Sequence, residues 1–201
     1  MTLKIAVSKG RVYEDFLSLL KSSGYRFKDE KTRKLVIKDL DNSINLIIVK
    51  AIDVPLYVNN AFADLGIVGK DIIDEFDDLF YELLNLEIGV CDLCIASMKN
   101  SKIKEMDYLK IATKYPKQAN EYLKFKKLNG EVIKLNGSVE LGPLINISDC
   151  ILDIVETGNT LKENGLEVNE HFKKIYSKVI ANKVSYKTKT DIITEFINKI
   201  S

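Results

Sequence analysis

The stretch Cys150-Ile151-Leu152-Asp153-Ile154-Val155-Glu156-Thr157-Gly158-Asn159-Thr160-Leu161 holds the most suggestive chemistry in the chain. An apolar run bearing acids leads into a Thr-Gly-Asn-Thr turn and then a helical segment, a combination that suits a sugar phosphate. Backbone amides at a helix start, with the hydroxyls of Thr157 and Thr160 beside them, donate to a phosphate without desolvating a buried cation. Gly158 lets the backbone come close. Asp153 and Glu156, at i and i+3, either share a helical face or flank a strand-to-loop transition, where carboxylates accept hydrogen bonds from the two hydroxyls of a ribose. The competing reading is structural: Thr157 and Thr160 cap a helix and the acids face water.

A second constellation is Ser8-Lys9-Gly10-Arg11, at a strand-to-helix junction where two cations and free amides converge. Such a corner attracts polyanions. Lys50, just beyond another predicted strand, adds a third cation at the same edge, and ligands of open α/β sheets gather at strand C-terminal ends. Lys9, Arg11 and Lys50 can therefore hold the phosphates of one substrate while the Glu156 to Thr160 loop holds another. A solvated turn with incidental charges is the alternative.

Other chemistry-bearing residues point to structure. His171, the only histidine, has no Ser or Cys arrangement near it in sequence and reads as a surface or half-buried side chain rather than a triad member. Cys91 and Cys94 lack the βαβ context of a redox pair and a second pair of metal ligands, so the three cysteines read as core thiols. Lys124, Lys126 and Lys127 around Phe125 read as a solvated helix face. Asp74, Glu75, Asp77 and Asp78 lack calcium-loop spacing and read as exposed helix acids, and no metal-ligating residues are expected.

Alternating elements must position these groups. Leu3 to Val7 predicts a strand, and Val12, Phe16, Leu19 and Leu20 a helix stopped at Gly24. Lys34 to Ile37 and Ile44 to Val49 predict a hairpin across Asp39 to Ser43. Asp53-Val54-Pro55 predicts a helix start with Asp53 as its cap. Residues 63–69 predict a strand followed by a helix bearing Asp71, Ile72, Ile73 and Phe76. Leu84 to Ala96 holds one or two strands. A strand at Lys110 to Thr113, a helix led by Pro116, a strand at Glu131 to Leu135, a helix from Ser138, a strand around Val179 to Ala181 and a terminal amphipathic helix complete the pattern. This alternation means an α/β protein.

With 201 residues, 30 Lys and Arg against 29 Asp and Glu, and 46% hydrophobic residues, the chain can bury a substantial core and carries a net charge of only +1. That balance leaves no electrostatic footprint for nucleic acid. No segment approaches the roughly 20 apolar residues that span a bilayer, and the N-terminus has no signal-peptide pattern, so the expected location is cytoplasmic.

Five segments in order carry a resemblance: Lys9-Gly10-Arg11, Asp53 to Val58, Ala63 to Asp71, Gly137-Ser138-Val139-Glu140-Leu141, and Asp153 to Leu161 with Glu163-Asn164-Gly165-Leu166. Over nearly its whole length the chain resembles the ATP phosphoribosyltransferase family, which opens histidine biosynthesis. The resemblance implies a two-lobed α/β fold of the type II periplasmic-binding-protein kind with the active site in the interlobe cleft. Residues 1–89 plus 181–201 would form one lobe and 90–180 the other. It implies Mg²⁺-dependent transfer of the 5-phosphoribosyl group from phosphoribosyl pyrophosphate (PRPP) to N1 of ATP. Asp153, Glu156, Thr157, Gly158, Asn159 and Thr160 would bind PRPP, and Lys9, Gly10, Arg11 and Lys50 the phosphates of ATP or pyrophosphate. Magnesium would be held mainly by substrate phosphates, with no covalent nucleophile. Lys50 stands where arginine is usual, exchanging a bidentate fork for a point charge, and Gly142 replaces the usual alanine before Pro143. Ending at Ser201, the chain resembles the family's short form, which implies a catalytic homodimer within a hetero-oligomer containing a regulatory subunit similar to histidyl-tRNA synthetase.

Overall fold

Hydrophobic periodicity is realised directly at the N-terminus. In a computed structural model, which describes residues 2–28, 34–77 and 79–201, Leu3–Ser8 forms β1 with Leu3, Ile5, Ala6 and Val7 buried. Gly10 then turns the chain into α1 (Arg11–Ser22), whose buried stripe is Phe16, Leu17 and Leu20. The expected hairpin is β2 (Val36–Lys38) antiparallel to β3 (Ile44–Val49). Pro55 lies in the first turn of α2 (Val54–Asn59), as its missing amide hydrogen permits, but the Asp53 side chain makes no capping hydrogen bond there.

The strand β4 (Leu65–Gly69) is followed by α3 (Lys70–Ile73), which is shorter than the apolar spacing predicts. Asp74 is its C-cap, so Glu75, Phe76 and Asp77 lie beyond it, and Asp78 lies outside the described residues. Residues 80–98 make a single strand, β5 (Phe80–Met98). Then come β6 (Tyr108–Thr113), α4 (Pro116–Lys126), β7 (Asn129–Lys134), α5 (Leu141–Leu144), β8 (Cys150–Val155), α6 (Asn159–Glu163), β9 (Leu166–Asn182), α7 (Lys183–Thr188) and α8 (Thr190–Ile200). The helix expected from Ser138 is only the four residues of α5, because Gly142 and Pro143 occupy its centre. A methyl group at Gly142 would stand 2.5 Å from Ser148 Oγ and 2.8 Å from Ala112 Cβ, which accounts for glycine at this position.

The chain divides into two compact units, Met1–Gly89 with Tyr176–Ser201 and Val90–Ile175, and the long strands β5 and β9 contribute residues to both. In the first unit the strand order is β2-β3-β1-β4-β9, with β1 parallel to β3 and β4, and β9 antiparallel to β4. Its core joins Ile5 and Val7, Phe16 and Leu20, Leu65 and Ile67, and Ile193, Phe196 and Ile200 of α8. In the second unit the order is β5-β8-β6-β7, with β6 parallel to both β7 and β8. Ala96, Ala112, Val139, Ile151, Leu161 and Leu166 pack together there.

Close packing in the first unit makes a stability prediction. A Cβ on Gly66 would stand 2.7 Å from Val58 Cγ2, 2.8 Å from Val54 Cγ1 and 2.9 Å from Ile180 Cγ1. Gly66→Ala is therefore expected to destabilise the chain by about 1–3 kcal/mol through overpacking. Thermal unfolding should register a lower midpoint; an unchanged midpoint would mean that α2 shifts freely from the sheet.

Candidate substrate-binding site

The parallel register of the second unit brings three loops to one edge. Thr113 pairs with Lys134 of β7 and with Leu152 of β8, so Lys114 and Leu135 leave the sheet beside Asp153, which stays within β8 opposite Cys94 of β5. Thr113 secures this corner from within. Its buried hydroxyl donates to the Leu152 carbonyl at 2.6 Å and accepts from the Tyr115 amide at 2.9 Å. Lys114 Nζ then lies 3.4 Å from Asp153 Oδ2, while Asp153 Oδ1 accepts from the Ile154 amide at 2.9 Å. The Asp153 side chain is 10% exposed and that of Lys114 40%. Burial pushes the Asp153 carboxyl above its ordinary value; Lys114 and the Ile154 amide oppose the rise, and Glu140 adds to it.

Beyond Val155 the chain enters the predicted loop. Gly158 adopts φ 72, a left-handed conformation that favours glycine, and stands at the N-cap of α6 without a side-chain cap. Thr157 Oγ1 accepts only a long bond, 3.5 Å, from the Asn159 amide, and Thr160 lies inside the helix rather than at its cap. The capping explanation for the two threonines is therefore weak. Glu156, Thr157, Asn159 and Thr160 are exposed.

These residues do not all face one space. A pocket of about 400 Å³ is lined by Lys114, Ser138, Glu140, Leu141, Leu144, Thr160 and Asn164. A second, of about 500 Å³, is lined by Glu156, Thr157 and Gly158 together with Asp92, Lys99, Lys162 and His171, over an apolar floor that includes Val155, Leu161 and Val168. The loop thus presents Thr160 to one pocket and its acid-Thr-Gly portion to the other. Lys114 was missed by sequence reasoning, although the rule that singled out Lys9 and Lys50, a cation just past a strand end, applies to it equally.

In the first unit, β1 and β3 run in parallel with Ser8 opposite Val49, so Lys9 and Lys50 emerge at the same end of adjacent strands. The Lys9 amide donates to the Val49 carbonyl at 2.8 Å. Gly10, with φ 97 and ψ −145, makes the sharp entry into α1, and Lys9, Gly10, Arg11 and Lys50 are exposed. Arg11 Nε stands 3.6 Å from Asp15 Oδ2, an oxygen that also accepts from the Gly89 amide at 3.2 Å. An exposed pair of this kind is weak.

Of three secondary expectations, the one for His171 holds and two change. His171 is exposed, but it does have a cysteine beside it: Nδ1 lies 3.1 Å from Asp92 Oδ2 and 3.4 Å from Cys94 Sγ. This is no nucleophilic triad, because both partners meet the same ring nitrogen, and burial with the Asp92 charge pushes the Cys94 thiol up to about 11. Asp74 is no solvated acid, since it pairs with Lys70, whose Nζ also lies 3.1 Å from Glu82. Lys126 is held 2.6 Å from Glu170 and lies over the Phe125 and Tyr122 rings rather than extending freely. The cysteines are free thiols, with Cys94 and Cys150 buried. Among the described residues no group of three or more His, Cys, Asp or Glu could hold a metal ion, and no helix is long and apolar enough to cross a membrane.

Comparison with known proteins gives this geometry a family. Residues 50–201 match the family model described as ATP phosphoribosyltransferase, and a Clostridioides difficile protein of that name is 47% identical over 97% of this chain and 95% of its own length. The chain belongs to the ATP phosphoribosyltransferase family. A solved Thermotoga maritima structure, titled as an ATP phosphoribosyltransferase HisG:HisZ complex, matches with a TM-score of 0.80 at 35% identity, covering 99% of this chain and 96% of that one. A Candida albicans protein described as exhibiting the generic periplasmic binding protein fold matches at 14% identity, with a TM-score of 0.63 over 100% of this chain and 69% of that one. At that identity the likeness shows fold alone, and it agrees with the expected α/β, periplasmic-binding-protein-like class. As in other members of the ATP phosphoribosyltransferase family, the glycosyl-transfer chemistry is that of a transferase.

Proposed function

We propose that this chain transfers the 5-phosphoribosyl group of PRPP to N1 of the ATP adenine and releases pyrophosphate, the first step of histidine biosynthesis. The observation that carries the reading is a pocket at the common end of β6 and β8, walled by Lys114 and Thr160, in a chain of this family. N1 donates its electron pair to the anomeric carbon as the bond from that carbon to pyrophosphate breaks. The leaving pair departs on the pyrophosphate oxygen, and configuration inverts.

No covalent nucleophile is required. The protein aligns two reactants, which can lower the barrier by about 7–11 kcal/mol, and neutralises charge growing on the leaving group. In this reading residues 90–180 hold PRPP: Asp153 and Glu156 accept from its ribose hydroxyls, and Thr157, Gly158, Asn159 and Thr160 donate to its 5′-phosphate. Residues 1–89 with 181–201 supply Lys9, the Gly10 amide, Arg11 and Lys50 to the phosphates of ATP or pyrophosphate.

Magnesium fits this donor set as an ion carried by the substrates. Mg²⁺ keeps several waters and binds through one or two carboxylates plus phosphates rather than a protein cage, and Glu140 supplies a carboxylate in the Thr160 pocket. Such an ion would offset charge on the departing pyrophosphate. By analogy with the Thermotoga complex, we also infer a cytoplasmic hetero-oligomer in which a catalytic homodimer works with a regulatory subunit similar to histidyl-tRNA synthetase.

The deciding experiment is a pyrophosphate-release assay with ATP, PRPP and Mg²⁺, with and without the regulatory subunit. Release that depends on ATP is expected, and release with free purine or pyrimidine bases instead would overturn the substrate assignment. Arg11→Ala is expected to weaken binding of ATP or pyrophosphate by about tenfold, the contribution of one charge-assisted contact at a partly exposed site. Calorimetric titration checks it; unchanged affinity for every phosphate ligand would remove Arg11 from the site.

A further inference from the structure

Asp153 already has a role in this reading but its partner Lys114 does not, and the geometry of the pair argues for one. Asp153 is a nearly buried carboxylate within β8, and a charge in that position is unfavourable unless it is paired. A carboxylate offers about four lone-pair sites. Oδ1 accepts the Ile154 amide and Oδ2 the Lys114 ammonium, which leaves one site on each oxygen. Two remaining acceptors match a vicinal diol. Lys114 reaches the pair from the end of β6, at a level fixed by the Thr113–Leu152 register, and it also walls the pocket that contains Thr160.

We propose that Lys114 is a positioning residue of the donor site: its ammonium keeps Asp153 charged and oriented so that the remaining lone pairs accept the two hydroxyls of the pentose. The inference rests on the phosphoribosyl-transfer reading above and adds to it a residue that acts through Asp153 rather than on the sugar. Protonated, Asp153 would become a donor on one oxygen and lose the paired-acceptor geometry.

The groups around Asp153 set the sign of the pH effect. Lys114 favours its charged form and Glu140 disfavours it. Cys94, opposite Asp153 on β5, carries a thiol pushed up to about 11 and is neutral near pH 7; His171 and Asp92 stand beyond it. Lys114 is thus the cation of this group that lies in direct contact with Asp153. Its removal must move protonation of Asp153 to higher pH.

The test is steady-state kinetics of the full chain, with its regulatory subunit where activity requires one, varying PRPP across pH. Lys114→Met is expected to raise KM for PRPP about tenfold or more near neutrality, the scale of a hydrogen bond involving a charged group. The acidic limb of kcat/KM should move to higher pH, and Lys114→Arg should restore most of the loss. Because the proposed action runs through Asp153, adding Lys114→Met to Asp153→Asn should cause little further change. Unchanged kinetics in folded Lys114→Met would overturn the proposal. So would a pH-independent loss that adds fully to that of Asp153→Asn, since it would mean direct contact with the substrate. Failure of the unmodified chain to release pyrophosphate from PRPP would overturn the functional reading itself.

Discussion

Replacing Thr160 by valine is expected to lower turnover by about 10²- to 10³-fold, comparable to removing one preorganised donor from a transition-state site. Valine keeps the β-branched shape, so α6 and its packing through Leu161 should survive while the hydroxyl is lost. The effect belongs to kcat if the hydroxyl tightens on the phosphoribosyl group as the bond to pyrophosphate breaks. Wild-type turnover in folded Thr160→Val would remove this residue from the mechanism. Glu156→Ala is the informative comparison, because Glu156 lines the other pocket. A comparable loss in both variants means that the donor spans both sides of the loop. A loss at Thr160 alone would assign it to the Lys114 side.

The largest stability effect is expected in the first unit. Asp64 is 5% exposed, and both its oxygens lie 2.9 Å from Lys189 Nζ; Oδ1 also accepts from Ser185 Oγ at 2.7 Å and Oδ2 from the Lys4 amide at 3.0 Å. Burial alone would push this carboxyl up, but the Lys4 amide, Lys189 and Ser185 together hold it below its ordinary value. Lys189→Met strands a buried carboxylate, and breaking such a pair from one side costs about 3–5 kcal/mol; the partial exposure of Lys189 favours the lower end. Denaturant unfolding near pH 7 measures the loss. A group with a lowered folded value contributes stability above its unfolded value and loses it as pH falls through the folded one. The gap between wild type and Lys189→Met should therefore narrow under acid conditions. A gap that stays constant with pH would show that Asp64 is not the source.

Much of the chain could be read locally. The apolar alternation of Leu3 to Val7, the 3.6-residue stripe of α1 and of α8, and Pro116 at the start of α4 each act within a few residues, and each element forms where it is expected. The Thr-Gly-Asn-Thr order likewise marks a turn leading into a helical segment, whereas the structure decided that Asp153 lies on a strand and that Gly158 is left-handed. Apolar spacing overstated two helices: α3 stops at Ile73, and α5 is a single turn because Gly142 and Pro143 sit within it.

What the tertiary structure alone decided is which of these groups meet. Lys114 and Asp153 lie 39 residues apart and become neighbours only because β6 and β8 are parallel and in register. Cys94 and His171, 77 residues apart, meet across strands that no local period connects. The same holds for the two sides of the Glu156 to Thr160 loop, whose division between pockets depends on distant residues such as Ser138 and Lys99. Residue order carries backbone propensity and hydrophobic period, which are short-range; strand pairing, which sets neighbours across the sheet, is long-range and exists only once the sheet has formed.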